Sequence, residues 1–395
     1  MTVVTPHFTG AQVDEMIATR RDLHAHPELG FEEVRTSALV ASRLRELGLE
    51  PRTGVGRTGV LARITGGRPG RTVLLRADMD ALPIHEENEV PYRSTCDGKM
   101  HACGHDCHTS ILLGVARQLV HEAKDLPGTV VLCFQPSEEQ GHPQGGAQAM
   151  IDDGALTWAK PDFALGLHVW QGLPIGVVGV TEGPWMAATD SFEVTFRGRG
   201  AHAAIPHAGV DPVVALAHAV TALQSIVSRN ADPLKELVVS VTQLRAGTAF
   251  NIIPETAWMS GTVRCFDRAL WAEVPEHFTR IVKGVAAAMG CEAEITYDRG
   301  NLPTVNAPEV CVHARAAATQ VVGEANLRTD VRTMGGEDFS IFLDKVPGVF
   351  MAIGSRNESR GLTHDHHHPR FDVDEESLRI GAEVLLETTR RVLAS

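Results

Sequence analysis

The loop His101-Ala-Cys-Gly-His-Asp106 sets a thiol, Cys103, two residues from an imidazole, His105. In an extended segment that spacing puts both side chains on one face. Thiolate and imidazole are good ligands for zinc-like ions, and carboxylates join them readily. A free cysteine is most often an inert buried thiol, but with His101, His105 and His108 beside it ligation is the better reading for Cys103. The pair Glu138-Glu139 follows an apolar run and a proline. Consecutive side chains point apart, so one carboxylate could bind metal while the other faces a metal-activated water and takes its proton. Without neighbouring ligands the same pair would be a solvated acidic turn.

Other reactive groups stand at equivalent places. Thr72–Leu75 leads into Asp78 and Asp80, Thr129–Phe134 into Gln135–Glu139, Asp162–Leu167 into His168, and Val349–Gly354 toward the His364–His368 tract. In open α/β sheets, sites form at the carboxyl ends of strands, and four such coincidences reinforce one another. His24 and His26 precede the sheet and read as structural or supporting. Gly54-Val-Gly-Arg-Thr-Gly59 matches a dinucleotide fingerprint, but Pro51-Arg52 precedes it and the β-type run Val60–Ile64 follows. The required strand–turn–helix context is missing, so it reads as a glycine-rich turn.

The elements that must position these groups follow from pattern. Two helical stretches lie in Asp14–Leu47. Apolar β-type runs at Gly59–Ile64, Thr72–Leu75, Thr129–Phe134 and Asp162–Leu167 are separated by helical patterns at His108–Ala123 and around Ala147–Asp153. That alternation predicts an α/β domain with a largely parallel sheet. The middle differs. Ser191–Arg197 alternates as a strand, with Phe192, Val194 and Phe196 on one face. Asp211-Pro212 opens a helix to about Ser228, carrying Val213, Leu216, Val220, Leu223 and Val227 on one side. Leu237–Leu244 and Thr256–Phe266 read as strands, Arg268–Met289 as a helix closed by Gly290, and Cys291–Tyr297 as a strand. The order β-α-β-β-α-β is ferredoxin-like. It predicts an insert over 184–300 within a domain made of 1–183 and 301–395, where Pro308–Val322 and Glu375–Leu393 are helical and Val349–Gly354 is a strand.

Composition sets the outer bounds. The chain has 395 residues, 43% hydrophobic and 22% charged, enough for more than one core. Lys plus Arg number 36 against 49 Asp plus Glu, a net charge of −13 that argues against nucleic acid or an anionic membrane as partner. Met1–Gly10 lacks the pattern of a secretory leader, and no stretch approaches the roughly 18 apolar residues of a membrane span. The 7 cysteines form no disulfide framework, and the expected compartment is the cytoplasm.

Taken together, these residues resemble the aminoacylase and carboxypeptidase family of dinuclear metallohydrolases, in the branch of hippurate hydrolases and indole-acetyl–amino acid hydrolases. The resemblance rests on Leu23–Pro27, Arg76–Pro83, Met100–His108, Gln135–Glu139, Gly166–Trp170, Ala201–His207, Phe250–Pro254, Gly261–Arg264, Met334–Phe339 and His367–Glu375, nearly the whole chain. It implies a zinc-exopeptidase-type catalytic domain with a lid that dimerises, giving a homodimer or homotetramer. It implies two divalent cations, Zn2+ or Mn2+ with Co2+ and Ni2+ also fitting, held by Cys103, His105, Glu139, His168 and a histidine near the C-terminus. The family ligand lies two residues before a proline, which selects His367, with His366 and His368 left open; whether Cys103 bridges the cations is open too. Glu138 would be the general base, with Asp78 and Asp80 orienting ligands. On the lid, His202 would stabilise the oxyanion in a neighbouring subunit, and Asn251 and Arg264 would hold the substrate. His142 departs from the family pattern at the rim.

The implied reaction is hydrolysis of an N-acyl amino acid to a carboxylic acid and an amino acid. Rivals are a carboxypeptidase, dipeptidase or deacylase of a metabolic intermediate, a thiol hydrolase using Cys103 and His105, and a metal- or ligand-binding protein on the same fold.

Overall fold

The computed structural model describes residues 7–395; the leader reading for residues 1–10 falls mostly outside them. The chain divides into two compact units. The first comprises residues 1–185, 304–332 and 337–395, and the second Met186–Pro303 with Thr333–Gly336. The short returning piece joins the second unit through a Met186–Thr333 bridge and an Ala187 N–H to Gly335 carbonyl bond.

The first unit is built on an eight-stranded sheet in the order Arg52–Val55, Gly59–Thr65, Pro127–Gln135, Arg68–Asp78, Phe163–Pro174, Gly348–Arg356, Val178–Gly179, Leu327–Arg328. Its centre is parallel: Arg68–Asp78 runs beside both Pro127–Gln135 and Phe163–Pro174, and the latter beside Gly348–Arg356. Central parallel strands are covered on both faces, which is why they read as unbroken apolar runs. Val73–Leu75, Val130–Phe134 and Val349–Ile353 are all buried. Helices His105–Glu122, Pro308–Val322 and Glu376–Leu393 supply much of the cover.

The glycine-rich Gly54–Gly59 segment is the turn of an antiparallel hairpin. A strand, Arg52–Val55, does precede it, contrary to the sequence reading, but a strand also follows, so no helix N-terminus is available for a phosphate. His168 is not beyond its strand's end; it lies within Phe163–Pro174, paired with Ala352.

Arg20, fully buried on the helix Gly10–Ala25, ties this unit's ends together. It donates to Asp106 (2.8 Å), Asp372 (2.7 Å) and Glu375 (3.3 Å). His24 joins it, with Nδ1 2.8 Å from Asp106 and Nε2 3.3 Å from Glu86.

The second unit is an antiparallel sheet in the order Leu237–Ala246, Thr256–Cys265, Ala188–Arg197, Glu292–Arg299, with helices Pro212–Ser225 and Arg268–Ala288. Strict alternation along Ala188–Arg197 buries Phe192, Val194 and Phe196, against Leu270, Val274, Phe278 and Val282, spaced by four along their helix. The helix from Pro212 buries a face shifted from the one expected. Ala215, Leu216, Ala219 and Leu223 are inside, while Val213 and Val227 are exposed, because small alanines admit the close approach that valines do not.

Candidate metal centre

Cys103 and His105 do not share an extended segment as their spacing suggested. Gly104, at φ +93°, turns the chain directly into the helix starting at His105. A Cβ there would collide with the Val169 side chain, so only glycine lets the loop reach its neighbour. The turn brings Cys103 Sγ to 3.5 Å from His168 Nε2.

Each imidazole is held by its Nδ1. His105 Nδ1 lies 2.9 Å from the Asp80 carbonyl and 3.1 Å from Asp80 Oδ1. His168 Nδ1 lies 2.6 Å from the Val169 carbonyl. An Nδ1–H donated this way leaves Nε2 as the lone-pair atom, the arrangement that readies histidine for a cation. His105 Nε2 is buried without a hydrogen-bond partner. Burial would lower its pKa, but Asp78 and Asp80 overcome that and raise it to about 10.

Of the C-terminal tract, His367 faces the cluster, with Nε2 3.2 Å from Glu139 Oε1. It adopts φ +66°, and its backbone N–H donates to the Ala102 carbonyl. His366 points elsewhere: its Nε2 donates to the Val169 carbonyl at 2.9 Å. His368 stacks on His364 with ring centroids 4.3 Å apart, and its Nδ1 accepts from Arg370 N–H.

Among the groups of donor atoms within 4.8 Å of one another, His105 meets Glu138 and Glu139, and two groups contain a thiol: Cys103 with His105 and His168, and Cys103 with Glu139 and His367. The thiol belongs to both. Sulfur, imidazole and carboxylate form a donor set that suits zinc-like ions, and the buried His105 Nε2, without a hydrogen bond, fits a cation at this place. The five expected ligands therefore converge in the first unit.

Glu138 stands beside them. Its Oε1 accepts the Asp338 N–H (3.1 Å), and its carboxylate clusters with those of Glu337 and Asp338. Burial first, then Glu337, Glu139 and Asp338, push its carboxyl well above the usual range, against the pull of Arg76. A carboxylate so placed accepts and keeps a proton readily.

Asp80 also links the loops, its Oδ2 accepting Glu139 N–H at 3.1 Å. Asp78 is gripped by Arg76 (2.7 Å) and His108 (2.6 Å). Both nitrogens of His108 are engaged, Nε2 accepting from Val169 N–H, so it supports the site and does not ligate.

Sequence reasoning gave no role to Arg76, Glu337 or Asp338. Arg76 donates to Asp78, Gln135 (2.9 Å), Glu337 (2.8 Å) and Asp338 (3.0 Å), balancing the acids around Glu138. The signal was present: Glu337-Asp338 repeats the paired-acid pattern of Glu138-Glu139.

His202, Asn251 and Arg264 lie on the second unit. His202 and Asn251 are exposed, while Arg264 is half-buried on Thr256–Cys265 and donates to the Val263 carbonyl at 3.0 Å.

Residues 74–391 match the profile of Peptidase family M20/M25/M40. The chain is 40% identical to the N-acetylcysteine deacetylase of Bacillus subtilis (strain 168), over 96% of this chain and 97% of that protein. It is 38% identical to the IAA-amino acid hydrolase ILR1-like 4 of Arabidopsis thaliana, over 96% and 86% respectively. Among solved structures it resembles Bacillus subtilis YXEP, described as a dinuclear metal-binding peptidase of the M20 family, with a TM-score of 0.85, 36% identity and coverage of 98% and 99%.

Proposed function

The chain belongs to the M20/M25/M40 peptidase family, and from that premise we propose that it is an amidohydrolase that splits N-acyl amino acids into a carboxylic acid and an amino acid, using two divalent cations. One observation carries the reading: a buried Glu138 stands beside donor groups built on Cys103, His105 and Glu139. Cys103, His105, Glu139, His168 and His367 would hold the cations; Zn2+ and Mn2+ suit the donors, as do Co2+ and Ni2+. When bound, such a pair lowers the pKa of a water and polarises the amide carbonyl.

The rest falls to the chain's own groups. Glu138 takes a proton from the water, whose oxygen adds to the carbonyl carbon. Glu138 then returns that proton to the leaving nitrogen as the C–N bond breaks. Asp80 and Asp78 hold His105 and its loop in register. His202 would stabilise the oxyanion, with Asn251 and Arg264 recognising the substrate, and the second unit would serve as a lid and dimerisation surface. The exposed Leu244 and Phe250 on that unit suit such a contact.

The thiol-hydrolase alternative is the weaker one. Burial, with Glu139, Glu138 and Asp78, pushes the Cys103 thiol well up, the opposite of what an attacking thiolate requires.

The test is product detection by mass spectrometry across N-acyl amino acids and dipeptides, with metal content measured in parallel. Acid plus free amino acid is expected from the acyl substrates; cleavage of dipeptides alone would replace this reading with a peptidase. Glu138→Gln should keep both metals and lose about 10²–10⁴ in rate. Near wild-type turnover would remove Glu138 from the mechanism.

A further inference from the structure

Between Gln135, the last residue of its strand, and the acids Glu138 and Glu139, the chain turns through Ser137 at φ +48°. A left-handed conformation costs a residue with a side chain on the order of 1–2 kcal/mol, and it persists only where the surroundings over-determine it. Here those surroundings come from a segment far back in the sequence. Glu33, with no solvent exposure, accepts the Ser137 backbone N–H on Oε1 at 2.8 Å and the Thr58 hydroxyl on Oε2 at 2.6 Å. Gly30 lies against the same serine. A Cβ on Gly30 would sit 2.5 Å from Ser137 Oγ and 3.2 Å from its Cα.

The other end of this segment is fixed to the neighbouring strand's end. Ala81 N–H donates to the Glu28 carbonyl at 2.8 Å, and Leu29 bridges to Ala81, the residue after Asp80. The Glu28 carboxylate in turn accepts from Arg35 and Thr36 N–H, anchoring the segment to the helix Val34–Glu46. Residues 28–33 thus brace two adjacent strand ends, one leading to Asp78 and Asp80, the other to Glu138 and Glu139.

We infer that Glu33 is a positioning residue for the reaction: by holding the Ser137 turn it sets the direction of Glu138, while Glu139 is held separately by Asp80, which accepts its backbone N–H. The inference rests on the reading of Glu138 as the base. Glu33 has no role at the reacting atoms. What the turn needs from it is an acceptor of the right shape, not a charge. Burial pushes its carboxyl up to about 7, against the hydrogen bonds from Thr58 and Ser137, so the neutral form already fits. A glutamine can accept from Ser137 N–H with its carbonyl and donate to Thr58 with its amide.

The experiment compares metal-loaded wild type with Glu33→Gln, Glu33→Leu and Glu138→Gln, following kcat, KM, bound metal and thermal midpoint. Glu33→Gln is expected to keep near wild-type kcat. Glu33→Leu is expected to lose roughly 10²-fold in kcat, the size set by an ångström-scale misplacement of a catalytic group, with KM and metal content unchanged. Wild-type kcat in Glu33→Leu, equal losses in both Glu33 variants, or loss of metal together with kcat would each overturn the inference. Thr58→Val keeps the test available if leucine at 33 prevents folding: a lower kcat at constant KM supports it, and an unchanged kcat overturns it. Activity in Glu138→Gln would instead refute the base itself. An inactive Glu138→Gln beside a fully active Glu33→Leu would refute only the role of Glu33.

Discussion

The two units place their arginines differently. In the first, Arg20 and Arg76 are fully buried and each faces several carboxylates. In the second, the buried acid Asp190 takes Trp271 and Tyr297 at 2.9 Å each with Arg299 at 3.6 Å, while Arg197 with Glu294, a bidentate pair at 2.6 and 2.8 Å, lies at the surface. The expected ligands and base in the first unit sit within its packing, whereas His202, at the end of a two-residue strand, and Asn251, in a turn, are exposed. A buried ion loses far more when its partner goes than an exposed one does. In the first unit, then, site and stability are one structure; in the second they are separable.

Metal removal is the harshest trial of that contrast. Chelation is expected to abolish activity and lower the first unit's unfolding midpoint, because cations bind only the folded donors. A metal-free sample that kept full activity would break the comparison at its root. Next comes Asp372→Ala, which strips Arg20 of a partner at 2.7 Å and Tyr92 of its acceptor. Loss of one partner of a buried pair costs about 3–5 kcal/mol, readable as a urea midpoint. The sign with pH follows. Burial would raise the Asp372 pKa, but Arg20 and Tyr92 hold it below the ordinary range. Its contribution is therefore complete above about pH 4, the unfolded value, and fades as pH falls through the lower folded value. The gap between wild type and variant should narrow on acidification; a constant gap would show that packing, not charge, is at stake.

His202→Ala should be the mirror image: a loss of about 10²–10³ in kcat, the usual cost of one oxyanion donor, with no change in midpoint. A falling midpoint would erase the contrast between units. Smallest of all, Glu294→Gln is expected to leave both activity and midpoint unmoved, since the pair it breaks lies at the surface.

Long periodic elements were readable in the residues. Pro308–Val322 is a helix over the expected span, and the alternation of Ala188–Arg197 buries the expected phenylalanines. Local pattern suffices where one face is buried against a regular partner. It failed where tertiary contacts decide. Val213 and Val227 look like core but are exposed, while the flanking alanines are inside. The Cys103–His105 pair was noticed for its spacing, yet what joins the side chains is Gly104 at φ +93°, a conformation no periodicity reports. Arg76 carries no local signal, because the acids that define it stand at positions 337 and 338, far away in sequence. Glu33 was invisible for the same reason.

The donors come from residues 103, 105, 139, 168 and 367, so the proposed cradle cannot be assembled during most of synthesis. A ribosome must release nearly the entire polypeptide before the last imidazole arrives. Early intermediates would offer a cation only a fragment of its coordination sphere, and weak capture at that stage leaves the ions free to exchange. On the proposed ligand set, full coordination would have to wait until the C-terminal tract has docked.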